Sequence, residues 1–497
     1  MNPCRHALPA ALIVAAMVLL SAAWMRGAEY DEQYTLFLTS GVARPVWPAH
    51  PFAAGEVKRL QAGHAGLATI AHDLRTTDVH PPLYFWIVDG WRKVFGASLF
   101  TVRLASAVFS LAALGMVALI ARRVGIPAAT ATLLTVGCYG FVYTGVVARG
   151  FALTNLLTLA GVAVLLRAEQ RSSGRLALAA GVLLGAATFS NYLAAFVGAA
   201  CLLWLIPRPG HLWRCASIGL AVWLPVDLWF FLAQRQSREG QFAPFDAMSA
   251  TMRLARYGAA NVVGGLPLYV GGPAGQIVAV ALALLLLALA GLTIWRWREI
   301  GNSAARWLLI MAAAAPPVGL LVLGVTFRST PIELRYLAFA VPFIALLLAG
   351  AVASLPRRPR HAVCGLVLAV QALSLAGMMT RPETMQPARA AATAAAALAG
   401  DGVVLLPRGN DGVGIVGAFA IEASPTLPLM VVGKDQTAKD VRARAGGLHR
   451  VVLALLGQDD DSRATLPVMR QAFADPCWRA AGTGFDVVAF ELVCAAE

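Results

Sequence analysis

Residues 274–295 read AGQIVAVALALLLLALAGLTIW, with no charged side chain between Pro273 and Arg296. Wound as an α-helix at about 1.5 Å per residue, that run is roughly 33 Å long, slightly more than the ~30 Å hydrocarbon core of a bilayer. Lipid offers no partner to an open backbone N–H or C=O, so a helix, which satisfies its own, is the form such a run takes. Comparable runs lie near residues 8–26, 100–121, 127–147, 150–167, 176–191, 192–207, 212–233, 306–326, 336–355 and 361–379. They predict an all-α polytopic membrane protein with about eleven spans. Composition agrees: 59% of the 497 residues are hydrophobic and 13% are charged, and mean hydropathy is +0.69. Average soluble domains do not reach that balance.

Charge sets the orientation. A net charge of +14 would suit nucleic acid if it covered one face, but the arginines fall in short clusters between apolar runs, so no nucleic-acid partner is expected. With the N-terminus inside, the inner loops carry Arg122 and Arg123; Arg167, Arg171 and Arg175; Arg208 and Arg214; Arg296, Arg298 and Arg306; and Arg357, Arg358 and Arg360. The acids there are Glu169 and Glu299. Every inner loop then obeys the positive-inside rule, and an odd number of spans puts the C-terminus outside. The chain is thus expected in a membrane whose cytoplasmic side holds those arginines, with an extracytoplasmic tail. Trp24, Met25 and Arg26 make a poor small-residue cleavage site, so the first apolar run is expected to stay as a span.

Three long segments fall on the outer side. The first, 27–99, mixes Pro, Gly, acids and histidines, and its stretch Leu83 to Phe95 suits an interfacial helix. The second, Gln234 to Pro273, includes a surface helix around Ala247 to Ala260. The third begins near Arg381. In it Gly402–Pro407, Leu427–Gly433, Arg450–Gly457 and Phe485–Val493 read as strands, with helix-like stretches between and a helix near Arg463–Ala474. Such alternation predicts a small α/β domain. The expected division is a transmembrane domain over 1–380, including the outer loop 27–99, and a soluble domain over 381–497. Gly409-Asn410-Asp411-Gly412 reads as a turn rather than a phosphate cradle. Cys477 and Cys494 lie in this tail, where an oxidising compartment permits a bridge and two buried free thiols are the alternative. The other cysteines, in or beside apolar runs, act as small hydrophobes.

Ionisable side chains grouped at a membrane surface pose a functional question, because each is costly to hold near lipid. The first outer loop opens on Glu29-Tyr30-Asp31-Glu32-Gln33-Tyr34 and later reaches Asp78-Val79-His80-Pro81-Pro82-Leu83-Tyr84. Acids after a span can simply mark the water boundary. In the second group two prolines stiffen the backbone and fix Asp78 and His80 in place. Arg149, between two spans with almost no loop, and Arg335 fall at outer span ends, where Arg103 and Arg328 read as snorkelling anchors. Asp227, inside an apolar run, is expected at the wet outer end of its helix beside Pro225. The remaining histidines are scattered, without partners at ligand spacing.

These motifs resemble the GT-C membrane glycosyltransferases, and more narrowly the bacterial branch related to protein O-mannosyltransferases and to the aminoarabinose transferase of lipid A. The resemblance rests on the acidic pair after the first span, the Asp-x-His-Pro-Pro-Leu-Tyr segment, Phe95-Gly96, and Arg103-Leu104 with Ser106. It continues in Ala148-Arg149-Gly150-Phe151-Ala152-Leu153, the span from Gly181 to Asn191, and Glu333-Leu334-Arg335-Tyr336 ahead of Val341-Pro342. It covers residues 8–355 and leaves the tail unassigned.

The resemblance implies an enzyme that takes a sugar from a polyprenyl-phosphate donor. The sugar passes, with inversion, to a lipid, glycan or protein acceptor on the outer face of the membrane. It implies Asp31 as the catalytic base with Glu32 beside it, which suits the chemistry because an acceptor hydroxyl must lose a proton as it attacks. The leaving phosphate needs positive charge more than an acid, and His80, Arg149 and Arg335 are the candidates to grip it. Asp78 and His80 are also candidate ligands, with Asp31, of a divalent metal ion. Val79 stands between acid and base here, where some of the family have them adjacent. A transporter of lipid-linked glycan that breaks no bond is the alternative; for that class a repeated half-structure and broken helices near the midplane are expected, and this sequence displays no convincing internal repeat.

Overall fold

All eleven apolar runs are helical in the computed structural model, which describes residues 4–238 and 242–494. The chain is a multi-pass membrane protein. Seven helices, Gly272–Trp295 and Leu99–Val124 among them, are long and apolar enough to cross a bilayer alone. Two runs are broken: Ala128–Gly137 meets Tyr139–Val146 at a 72° bend, and Gly210–Ala221 meets Leu224–Ala233 at 43°. The last two, Gly174–Thr188 and Ala194–Leu205, have 15 and 12 residues, about 22 and 18 Å of helix against a ~30 Å core. The described residues therefore hold seven membrane-length helices, or up to nine if each bent pair is one span, rather than about eleven of equal standing.

The sharper bend has a local cause. Cys138 takes extended angles, φ −61° and ψ 122°. The buried Gln371 Nε2 donates to Leu134 O beside the break at 3.4 Å and to Val262 O, at the end of helix Ala247–Val263, at 3.0 Å. A side chain thus partners main-chain carbonyls where the helices stop, which a break at membrane depth requires.

Two units divide the described residues. The first comprises those up to Met25, Leu74–Tyr84 and Arg103–Arg381, and it holds the membrane-length helices, Leu99–Val124 from Arg103 onward. The second comprises Arg26–Asp73, Phe85–Val102 and the described residues from Pro382 onward. In this second unit lie strands β1 (Phe52–Ala53), β2 (Val403–Pro407), β3 (Pro428–Val432), β4 (Arg450–Ala454), β5 (Trp478–Gly484) and β6 (Val487–Leu492). They form one sheet in the order β1-β3-β2-β4-β6-β5. β2 pairs in parallel with β3 and β4, while β1, β6 and β5 join antiparallel.

Residues of β2 are buried on both faces, which explains why the strand reads as an unbroken apolar run. Val404 and Leu406 pack with Phe419 of helix Gly414–Glu422 and Ala395 of helix Ala388–Ala399. Val403 and Leu405 pack with Val441, Met469 and Phe473 on the other side. Fully burying a Val or Leu side chain contributes ~1.5–3 kcal/mol, so this double-faced core is the main source of the sheet's stability.

Two strands lie beyond the four expected. β5 carries small, mostly exposed residues without alternation, and it is held as a hairpin with β6 that a Cys477–Cys494 disulfide closes. β1 comes from the loop 27–99, with Phe52 opposite Leu429. From the same loop, Phe37 of helix Tyr30–Ser40 and Val57 of helix Ala54–Gln61 enter the core of the sheet. The division at 380/381 thus differs from the structural one, because loop residues complete the α/β unit.

Candidate active site

Asp78, His80 and Arg149 meet within the first unit. The segment carrying the first two is shaped by its own side chain: Asp78 Oδ1 accepts the backbone N–H of Val79 at 2.6 Å and of His80 at 3.1 Å. Pro81 and Pro82 donate no N–H, and the next amide, Leu83, donates to Phe189 O at 3.2 Å. Fully buried Gln234 ties the segment down, its Nε2 donating to His80 O at 2.8 Å and Leu74 O at 3.0 Å while its Oε1 accepts from Tyr192 at 3.0 Å. Sequence reading gives Gln234 only as a loop boundary, and no local signal marks its role. Arg149 occupies the short turn between helices Tyr139–Val146 and Phe151–Gln170. Gly150 lets that turn approach closely, since a Cβ there would lie 2.8 Å from Ser190 O.

His80 Nδ1 is 2.6 Å from Asp78 Oδ1, and Arg149 Nη1 is 3.8 Å from Asp78 Oδ2. Arg149 Nη2 lies 3.1 and 3.4 Å from the two ring nitrogens of His80, so the guanidinium sits against the ring. Asp78 and Arg149 are each 4% exposed. Burial pushes the Asp78 carboxyl up, but the charges of His80 and Arg149 with the hydrogen bonds from His80 and Val79 outweigh it and hold the group well below the usual carboxylate range. Asp78 is therefore an ionised anchor that orients two basic side chains. Asp78 Oδ1 thus takes one ring nitrogen of His80, and Arg149 Nη2 stands 3.4 Å from the other.

Arg335 belongs to the same neighbourhood with its charge already engaged. Its Nη2 is 2.6 Å from Glu333 Oε2, and it hydrogen-bonds Tyr336. Tyr336 and Phe339 pack with Val147 and Phe151, which flank Arg149. The expected metal site does not fit these residues. Asp78 and His80 engage each other, a guanidinium stands beside both, and a cation placed there would meet that positive charge. Among the described residues no group of three or more His, Cys, Asp or Glu side chains is arranged to hold an ion.

Asp31 and Glu32 belong to the second unit. Their helix, Tyr30–Ser40, ends at Gly41, whose φ of +88° is the left-handed conformation that terminates helices. Glu32 is fully buried, and its Oε2 accepts the Glu29 N–H at 3.0 Å, so this residue, expected beside Asp31 in the chemistry, caps the helix start. Asp31 is half-buried in the first turn, where the helix dipole favours a carboxylate. At the other end, buried Arg92 donates to Leu36 O at 3.1 Å and Gly63 O at 3.2 Å. Arg103, expected to snorkel, is instead buried and donates to Ala23 O at 3.2 Å. Asp227 is buried and accepts from Thr188 Oγ1.

The chain is similar to known proteins. The family described as dolichyl-phosphate-mannose-protein mannosyltransferase matches residues 79–231, the stretch that holds His80 and Arg149. The crystal structure of ArnT from Cupriavidus metallidurans bound to undecaprenyl phosphate is 14% identical, with a TM-score of 0.53 over 97% of each chain. Its apo state gives the same values. The apo oligosaccharyltransferase of Archaeoglobus fulgidus is 11% identical, with a TM-score of 0.46 over 90% of this chain and 69% of that one. No curated protein matches the chain.

Proposed function

The chain has the GT-C fold, and on that premise we propose that it is an inverting glycosyltransferase. It moves a sugar from a polyprenyl-phosphate donor to a lipid, glycan or protein acceptor at the outer face of the cytoplasmic membrane. The acceptor hydroxyl attacks the anomeric carbon, its proton passes to Asp31, and the bond to phosphate breaks with its electrons leaving on the phosphate oxygen. His80 and Arg149 carry the charge that stabilises those oxygens as they gather electrons, with Arg335 at the edge of the group. Glu32 holds the helix turn that presents Asp31.

The observation that carries this reading is the buried meeting of His80 and Arg149 on an ionised Asp78, inside the stretch that matches the mannosyltransferase family. Undecaprenyl phosphate on the ArnT structure supports a donor of that chemical class. The Cys477–Cys494 disulfide supports an oxidising, extracytoplasmic site for the tail.

The test uses membranes from cells that lack the gene, fed tritiated sugars so that the polyprenyl-phosphate pool is labelled. Adding the purified full-length protein should move tritium into another lipid, glycan or protein fraction, and Asp31→Asn should abolish the movement. Label that stays on its carrier while changing leaflet would mark a flippase. Undiminished transfer by Asp31→Asn would remove Asp31 from the mechanism.

A further inference from the structure

β2 and β4 lie side by side in parallel, and the chain leaves β2 for β3 on one side while β4 faces β6 on the other. In doubly wound sheets the crevice at the carboxyl ends of two such strands is where ligands bind. Here the loops after these strands carry Asp411 and Asp459, and the chain's own tyrosines enter. Tyr30 OH donates to Asp459 Oδ2 at 2.9 Å, and Tyr34 OH donates to Asp411 Oδ2. Four residues apart, the two phenols share one face of helix Tyr30–Ser40.

Both acceptors are themselves fixed. Asp411 Oδ1 accepts the N–H groups of Val413 at 2.7 Å and Gly414 at 3.0 Å. Asp459 Oδ1 caps helix Asp460–Ala472 through Ser462 N at 2.7 Å, and its Oδ2 also takes Asn410 N at 3.1 Å. Burial beside two aspartates pushes the Tyr30 phenol far above its ordinary value, so it remains a donor. The helix approaches closely because Gly414 and Gly417 leave room: a Cβ at Gly414 would overlap the Tyr30 ring, and one at Gly417 would lie 2.6 Å from Gln33 Oε1. The residues before the helix are tied as well, with Ala28 N donating to Glu422 Oε1 at 2.6 Å and Arg389 Nε to Glu422 Oε2 at 2.9 Å.

We infer that the α/β unit is a positioning clamp: Tyr30 and Tyr34, seated on Asp459 and Asp411 in the strand-end crevice, set the orientation of Asp31. This assigns a task to the C-terminal sheet and rests on Asp31 being the base of the reaction proposed above. Tyr30 and Tyr34 are positioning residues, since they act through Asp31.

The double variant Tyr30→Phe/Tyr34→Phe keeps both rings and removes both hydroxyls. In the full-length protein in lipid–detergent micelles, with the tritiated polyprenyl-phosphate pool as donor, kcat should fall ~10- to 100-fold, the scale expected when a reacting group is misplaced by about 1 Å. KM for the labelled pool should stay within about twofold, because ground-state binding is untouched. Amides 31–36 should exchange with deuterium faster than in the parent. Adding the double change to Asp31→Asn should cause no further loss. Gly414→Ala, which displaces the Tyr30 ring, should reproduce the fall in kcat. Wild-type kcat in Tyr30→Phe/Tyr34→Phe, alongside an inactive Asp31→Asn, would overturn the clamp and leave the proposed function standing. If Asp31→Asn transfers normally, the functional reading fails instead, and unchanged exchange at 31–36 in the double variant then removes the clamp on its own.

Discussion

Replacing Arg149 by Met leaves a charged, buried Asp78 short of one cation. Arg149 Nη1 stands 3.8 Å from Asp78 Oδ2, with the side chains 5% and 2% exposed. That oxygen accepts no hydrogen bond from the described residues, so the loss is Coulombic. At an effective dielectric constant of ~20, two unit charges at this separation attract by ~4 kcal/mol. Removing the guanidinium also removes its desolvation penalty, which offsets part of that figure. His80 and two backbone N–H groups still hold the other oxygen. Arg149→Met should therefore lower the unfolding free energy by ~2–3 kcal/mol, and Asp78→Asn/Arg149→Met, a neutral pair, should recover ~1–2 kcal/mol of it. The assay is SDS titration of the protein in mixed micelles, followed by intrinsic fluorescence, with transfer of tritiated sugar measured on the same samples. Stability should return in the double variant while transfer stays lost in both, because the proposed phosphate ligand has gone. A double variant as unstable as the sum of the singles would refute the energetic coupling. One that regained transfer with stability would make Arg149 a structural cation and not a phosphate ligand.

Asp31→Asn should reduce transfer at least ~100-fold with an unchanged unfolding profile, since loss of a general base removes roughly that much or more; a normal rate sinks the assignment. Asp78 has a folded pKa below its unfolded value, so its stabilisation is fully present above the usual carboxylate range near ~4 and fades as pH falls toward the folded value. The gap in unfolding free energy between the parent and Asp78→Asn should be flat from about pH 7 to 5 and shrink below about pH 4, and a gap that grows on acidification would contradict the charge state. Phe419→Ala, at a fully buried site in the α/β core, should destabilise that unit by ~3–5 kcal/mol in chemical denaturation, and a change under ~1 kcal/mol would contradict the packing. Cys477→Ser/Cys494→Ser opens a loop closed across 17 residues and should cost up to ~3 kcal/mol by chain entropy. Dithiothreitol should shift the thermal unfolding of the parent but not of this variant.

Helix Leu83–Phe95 was legible to the residue, because a proline pair before it and Gly96 after it are local signals. The strands at 403–407, 428–432 and 450–454 were legible for a similar reason: buried parallel strands write their burial into consecutive residues. The antiparallel strand at 487–492 was legible from its β-branched and aromatic residues. The grouping of Asp78 with His80 could be read because they are two residues apart. Trp478–Gly484 could not, since its small residues pair only because β6 offers an edge. The role of Gln234 was hidden as well, because its partners, Leu74, His80 and Tyr192, are distant in the chain.

Hydropathy is a sum over neighbours in the chain, and each apolar run meets lipid for itself. The sequence alone therefore determined that this protein crosses a membrane many times and carries an α/β tail. Which parts of the loop 27–99 join that tail, which aspartates receive Tyr30 and Tyr34, and that Arg149 comes to rest on Asp78 were decided only in three dimensions. Those pairings join residues far apart in the chain, and their free energy comes from burial and geometry that exist only once both partners are in place.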